Sequence, residues 1–179
     1  MILFFVGFFS TKVQAQYGDY EIKAATVHTF MRYVTWSDDA FDRRSNKIIL
    51  VIYGSDPFGS VIDNLCRGRT IKGRYVEIRR TSELKELKGA HVVFVSRSER
   101  NNVCRILEYI KDFKRASVLT IGDNIEGFCE KGGMVKLNGN GNYYFSLNWN
   151  EMSNYGPVPD TRLLGMAEKL ITTDQDRCQ

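Results

Sequence analysis

The most reactive side chains in the sequence are its four cysteines, Cys66, Cys104, Cys129 and Cys178. No Cys-x-x-Cys pair occurs, and no cysteine has a histidine at metal-ligand spacing, so the pattern argues against a zinc site or a thioredoxin-like catalyst. An even number of cysteines is typical of disulfides in an oxidising compartment, and four cysteines allow three complete pairings. We expect a Cys66–Cys104 disulfide, because each residue lies near an amphipathic helix predicted to flank the same sheet. The alternative is that both are buried free thiols.

The signatures of catalysis are missing from the sequence. It contains no Gly-x-Gly-x-x-Gly motif after a strand, no Walker-type lysine loop and no Gly-x-Ser-x-Gly elbow. His91 begins a predicted strand, where packing or a hydrogen bond is expected, and His28 lies mid-helix, on a helix face or in a cleft. Because neither histidine is paired with a nucleophile, the sequence gives little basis for general acid–base or covalent catalysis. We expect no enzymatic activity and no catalytic residues, and we expect no cofactor and no metal.

Polar and glycine residues cluster in three predicted loops, residues 54–57, 96–99 and 122–128, and each loop follows a strand. Ligand sites in open α/β sheets form at the carboxyl ends of the strands, and helix N-termini after the first two loops favour an anion. Each loop also has a structural interpretation, since Asp56 and Ser98 are good helix caps and the glycines suit turns. The predicted cleft for a ligand or partner comprises Ser55, Asp56, Ser96, Arg97, Ser98, Glu99, Gly122, Asp123 and Phe128.

Strands and helices alternate through most of the chain. Apolar spacing predicts a helix over 17–36, strands over 48–53, 70–80, 91–96 and 117–121, and helices over 58–66, 82–87 and 98–113. The last third predicts an antiparallel hairpin of strands 134–137 and 143–149, followed by a helix over 161–170. The sequence therefore predicts an α/β fold, a single Rossmann-like domain over 16–179. Its sheet is mainly parallel with helices on both faces, and it ends in the C-terminal antiparallel hairpin.

The first fifteen residues differ from the rest. An apolar run over residues 2–9 is followed by polar residues and then by Val13-Gln14-Ala15, which predicts a signal peptide over 1–15 cleaved after Ala15. The run is too short to cross a bilayer, which needs about 20 apolar residues. The alternative is a buried N-terminal strand or helix. We expect export and a periplasmic location.

The charge balance gives little reason to expect a nucleic-acid partner. The formal net charge is +4, and one basic concentration surrounds the strand predicted over 70–80. Only Tyr75 supplies an aromatic ring there, whereas a nucleic-acid surface needs interleaved aromatics. An outward-facing charged strand that resists edge pairing is the better interpretation. The basic residues are Arg67, Arg69, Lys72, Arg74, Arg79 and Arg80.

An ordered set of segments resembles the YfiR-like family of periplasmic proteins. The segments are the helix residues 23–36, the turn 54–59, the strand and loop 91–99, and the shorter pieces 120–123, 127–128 and 132–134. The resemblance covers roughly residues 20–170. It implies a compact Rossmann-like fold, export to the periplasm and no catalytic activity.

The resemblance also implies a function in signalling. The best-known members of the family repress a diguanylate cyclase of the inner membrane by binding its periplasmic part, respond to redox state through disulfides and tend to dimerise, which suggests a role in c-di-GMP signalling. A histidine kinase or another membrane sensor is an alternative partner. The resemblance supports the Cys66–Cys104 pairing and leaves the pairing of Cys129 and Cys178 open.

Three functions compete at this point. We expect a regulatory protein that binds and represses an inner-membrane signalling enzyme, with a redox-dependent disulfide and a homodimeric state. The second hypothesis is a periplasmic sensor that binds a small anionic or aromatic molecule at the strand ends. The third is an envelope hydrolase, which the lack of a nucleophile–base pair disfavours. The fold alone does not distinguish them.

Overall fold

The computed structural model describes residues 11–42, 45–112, 117–139, 144–172 and 178. The apolar part of the predicted signal peptide, residues 2–9, lies outside the described residues. Within the described part of the chain, no helix is both long enough and apolar enough to cross a membrane.

Five helices and ten strands are present among the described residues. The helices are α1 Thr11–Tyr33, α2 Ser60–Cys66, α3 Val103–Lys111, α4 Trp149–Tyr155 and α5 Thr161–Met166. The first five strands are β1 Val34–Thr35, β2 Lys47–Tyr53, β3 Thr70–Ile71, β4 Arg74–Thr81 and β5 Val92–Val95. The others are β6 Leu119–Asp123, β7 Val135–Leu137, β8 Phe145–Asn148, β9 Val158–Pro159 and β10 Lys169–Ile171. Short 3-10 turns occupy Asp38–Ala40, Leu84–Leu87 and Arg97–Glu99.

Eight of the strands form one mostly parallel sheet, in the order β10-β8-β7-β6-β5-β2-β4-β3. Neighbours from β4 to β7 are parallel, whereas β8 is antiparallel to β7 and parallel to β10. The chain between β7 and β8 includes residues 140–143, which lie outside the described residues. The mixed α/β class with a mainly parallel sheet is confirmed.

Helices cover both faces of this sheet because its central strands are apolar on both sides. Leu50 and Ile52 of β2 pack with α1 and α2 on one face, in a cluster that includes Phe30 and Ile62. Val51 packs with α3 on the opposite face, in a separate cluster. The alternation of side chains along β2 thus places α2 and α3 on opposite sides of the sheet.

The strand predicted over 70–80 is a hairpin. Lys72 and Gly73 both have positive φ angles, 51° and 78°, and Ile71 pairs with Arg74 across this two-residue turn. Two successive positive φ angles are the geometry that joins antiparallel strands tightly. The turn was not predicted, because the stretch is basic, its apolar and polar residues alternate only weakly, and lysine does not usually indicate a turn.

Other boundaries also differ from the sequence prediction. Helix α1 ends at Tyr33, and Val34 begins a short strand that pairs with β9. Helix α4 was not predicted. Asn148 is its N-cap, and the side chain of Asn148 accepts a hydrogen bond from the Glu151 backbone N–H. The last predicted helix ends at Met166, and the chain then forms the edge strand β10.

Phe128 is fully buried, and its ring fits against two glycines. A Cβ atom added at Gly122 would lie 2.6 Å from the ring, and one added at Gly133 would lie closer still. The ring therefore occupies the space that a side chain at either glycine would need. The close packing fixes the loop between β6 and β7 against the end of β6.

We expect Gly133→Ala to lower the free energy of unfolding by about 1–3 kcal/mol, because the added methyl group overpacks the Phe128 ring. Gly165→Ala is the matched control: no atom lies within 4 Å of an added Cβ there, and alanine favours the helix by about 0.5–1 kcal/mol. Urea denaturation of both variants measures the difference. Equal effects at the two positions would contradict the packing described for Phe128.

Candidate functional site

The loops after β2 and β5 meet at the carboxyl end of the sheet. Strand β2 lies between β4 and β5, so the strands that follow it along the chain are added first on one side of it and then on the other. Ligand sites commonly form at such a point of an α/β sheet. The Ser55 backbone N–H donates to Ser98 Oγ at 3.0 Å. Gly54 has a φ of 92°, and a Cβ there would lie 2.6 Å from the same oxygen. The sequence prediction correctly placed these two loops together.

Several predicted cleft residues have structural partners within the loops. Ser98 was predicted to cap a helix, but its hydroxyl joins the two loops, and Ser96 caps the 3-10 turn instead. Asp56 accepts hydrogen bonds from the Phe58 backbone N–H at 2.8 Å and from Arg80 Nε at 2.6 Å. The polar atoms of Asp56 therefore stabilise the turn after β2.

Asp123 forms a buried ion pair with helix α1. This carboxylate is fully buried at the end of β6 and accepts hydrogen bonds from Lys23 Nζ at 2.9 Å and from the Tyr20 hydroxyl at 3.3 Å. Lys23 also pairs with Asp19 at 2.9 Å. Burial alone would lower the pKa of Lys23, but the hydrogen bonds that it donates to both carboxylates outweigh burial and raise that pKa. Helix α1 thus closes one side of the predicted cleft.

A cavity of about 550 Å³ lies beside these loops, on the side of the sheet that α3 covers. Of the predicted cleft residues, Arg97 lines this cavity, whereas Asp123 and Phe128 are fully buried. The lining side chains are mostly cationic or amide-bearing. They are Arg97, Arg100, Asn101, Asn124, Ile125, Glu126, Lys131 and Lys136. Four cations against one carboxylate make an environment that attracts anions.

Sequence reasoning missed seven of these eight residues. The loop predicted over 96–99 stopped short of Arg100 and Asn101, whereas the loop predicted over 122–128 contained Asn124, Ile125 and Glu126 but they were not named as cleft residues. A longer first loop and a complete list of the second would have found five of the seven. Lys131 and Lys136 could not have been found this way, because the fold of the loop between β6 and β7 brings them to the cavity.

The predicted Cys66–Cys104 disulfide is wrong. Cys104 is bonded to Cys178, with the two Cα atoms 5.3 Å apart, and Cys66 and Cys129 are buried free thiols. Cys66 belongs to α2 and Cys104 to α3, and the sheet lies between these helices. Both helices do flank one sheet, as the sequence predicts, but on opposite faces.

The two free thiols are poorly suited to redox chemistry. Burial raises the pKa of Cys66 to about 11 and that of Cys129 to about 12, so neither forms the reactive thiolate near neutral pH. The bonded pair is only partly buried. The Cys178 sulfur is 3.4 Å from the carbonyl oxygen of Lys131, whose side chain lines the cavity. The disulfide therefore contacts the backbone of the loop that carries Lys131.

His91 directly precedes β5 and has a structural role, as its predicted place at the start of a buried strand suggested. Its Nδ1 accepts a hydrogen bond from the Ile49 backbone N–H at 3.0 Å, and its ring stacks on Phe41. Burial lowers the pKa of His91, which favours the neutral ring. Burial and the nearby Arg32 and Arg69 also lower the pKa of His28, which is half-buried on α1.

We expect Lys23→Met to reduce the free energy of unfolding by about 3–5 kcal/mol, because it leaves the buried Asp123 carboxylate without its cation. Lys47→Met is the matched control. Lys47 pairs with Glu77 at 2.8 Å but is exposed, and its loss should cost about 1 kcal/mol or less. Chemical denaturation at neutral pH separates the two. Equal costs would mean that Lys23 does not secure α1 over the sheet end.

The comparison with family models identifies the family of the chain. A model of the DUF4154 family, described as YfiR/HmsC-like, matches residues 20–168. A comparison with curated proteins gives no match. The matched range begins in α1, ends just before β10 and contains every residue that lines the cavity, whereas Cys178 lies beyond it. The chain belongs to the YfiR/HmsC-like family.

Proposed function

We propose that this chain is a periplasmic regulator that binds and represses a signalling enzyme of the inner membrane, a diguanylate cyclase or a sensor kinase. The observation that carries the proposal is membership of the YfiR/HmsC-like family across most of the chain, because that family is regulatory rather than catalytic. Export through the signal peptide predicted over 1–15 is part of the proposal. So is a homodimeric state, which light scattering of the purified protein would test.

Redox tuning of this regulator would act through Cys104 and Cys178. Their disulfide joins residues 74 positions apart and ties the end of the chain to α3. Such a bond restricts the unfolded chain and contributes about 2–4 kcal/mol to stability. A dithiol reductant would supply two electrons and two protons, leaving two cysteine thiols and its own disulfide. Reduction would release the C-terminal segment from α3 and from the Lys131 loop.

The altered surface offers a mechanism for releasing the partner. When a covalent tie is lost, the segments that it held become free to move, and a partner that binds the tied arrangement loses affinity. Cys66 and Cys129 do not share this role, because both are buried within the packed core. The proposal therefore assigns redox sensitivity to one pair of cysteines.

The test is an affinity pull-down of the tagged protein from cell envelopes, with and without reductant. We expect wild type to recover one membrane signalling protein, with recovery falling several-fold in reductant. Cys104→Ser and Cys178→Ser should each show the low recovery under both conditions, and the double variant should be no worse. Cys66→Ser, the control, should keep the reductant effect.

Two results would contradict the proposal in different ways. Recovery of no membrane signalling protein under either condition would remove the repressor function. Recovery that is equal in wild type, Cys104→Ser and reduced samples would leave a repressor without redox tuning. A thermal melt of each variant shows whether it is folded at the temperature of the pull-down.

A periplasmic sensor of small molecules is the second candidate function. The observation that favours it is the basic cavity of about 550 Å³, which falls within the size range of small-molecule sites. A sensor and a repressor are compatible, since a bound molecule that prefers one conformation can change affinity for a partner. Ligand binding to the isolated protein distinguishes this function from partner binding alone.

A further inference from the structure

We propose that the basic cavity is a binding site for a soluble, multiply charged molecule that carries phosphate groups. The inference deepens the second candidate function, on which it rests, and is independent of the repressor proposal. It concerns the cavity lined by Arg97, Arg100, Lys131 and Lys136, with Glu126 as the one lining carboxylate.

The first argument is the balance of charge. Arg97, Arg100, Lys131 and Lys136 line one cavity, and none forms an ion pair with another residue that the structure describes. Four of the five other cations in the described strands of the sheet form ion pairs, and Arg74 does not; Lys169, for example, lies 2.7 Å from Glu130. Like charges that share a cavity repel one another, and an anion between them would relieve that repulsion.

The second argument is the chemistry of the donors. Two guanidinium groups offer planar pairs of N–H donors that match phosphate oxygens, and two ammonium groups add compact charge. Asn101 and Asn124 add amide groups to the same lining. A site with four cations suits a ligand with at least two negative charges better than a single carboxylate. Phosphate esters and diphosphates have this charge.

The third argument is the rigidity of the elements that carry these donors. Arg97 begins a 3-10 turn that Ser96 caps and that the Ser55–Ser98 hydrogen bond holds. Lys136 lies in β7, opposite Gly122 of β6. The Asn124 backbone N–H donates to the Leu137 carbonyl oxygen at 2.8 Å. Donors on rigid elements bind with less loss of conformational freedom than donors on free loops.

The volume of the cavity favours a small molecule over a single inorganic ion. About 550 Å³ exceeds what one phosphate needs and lies within the range of sites for metabolite-sized ligands. Ile125, which is buried, supplies an apolar part of the lining. An organic molecule that bears phosphate would use both kinds of surface.

The experiment is isothermal titration calorimetry of the full, oxidised protein with inorganic pyrophosphate. We compare wild type with Arg97→Gln/Arg100→Gln and with the control Lys85→Gln/Lys88→Gln. The control removes the same charge from exposed lysines in and after the 3-10 turn before β5, at the opposite end of that strand. A third variant, Lys131→Gln/Lys136→Gln, tests the other two cations. Thermal melts without ligand show that each variant is folded.

We expect saturable binding to wild type, weakened about tenfold or more in either cavity variant, because each variant loses two charge-assisted contacts to the ligand. The control should bind within about twofold of wild type, since solvent screens charges beyond the Debye length. Absence of saturable binding at millimolar pyrophosphate would overturn the proposal. So would equal weakening of control and cavity variants, which would indicate a response to net charge alone.

A lipid headgroup could supply the same phosphate chemistry, so vesicles of phosphatidylglycerol form a second arm. Cosedimentation with vesicles that depends on Arg97 and Arg100, without binding of pyrophosphate, would overturn the assignment of a soluble ligand. Neither arm involves the membrane signalling enzyme. Failure of the cavity proposal and failure of the repressor proposal are therefore separate results.

Discussion

The parallel pairing of β2, β5 and β6 is the constraint on which the rest of the structure depends. These strands are apolar on both sides, so they are buried between helices and pair in one direction. Parallel pairing brings their carboxyl ends to a single edge, where the loops that follow these three strands meet. The contact between Ser55 and Ser98 is a direct consequence.

The two faces of the sheet give this edge two different environments. On one face, α1 closes over the end of β6 through the buried pair of Lys23 and Asp123. On the other face, the turn after β5 and the loop before β7 leave a cavity lined by four cations. The same edge is therefore sealed on one side and open to an anion on the other. The Cys104–Cys178 disulfide contacts the backbone of Lys131, whose side chain lines this cavity.

Features that depend on local periodicity can be predicted from the sequence. Features that depend on contacts between distant segments cannot. The buried strands at 48–53 and 91–96 were predictable from their apolar runs, and the family from motifs along the chain. The Lys72–Gly73 turn was not predictable, because nothing in the neighbouring residues indicates the positive φ angles that these two residues adopt. The cysteine pairing was wrong because periodicity identifies an amphipathic helix without saying which face of the sheet it covers. Lys131 and Lys136 reach the cavity only through the folded loop that Phe128 packs in place.

The proposed function requires export of the protein and a redox-sensitive bond between Cys104 and Cys178. Peptide mapping by mass spectrometry tests this most directly, on protein recovered from periplasmic extracts and alkylated without reduction. We expect one linked peptide pair containing Cys104 and Cys178, with Cys66 and Cys129 alkylated only after unfolding. A Cys66–Cys104 peptide, or absence of the protein from the periplasm, would contradict it.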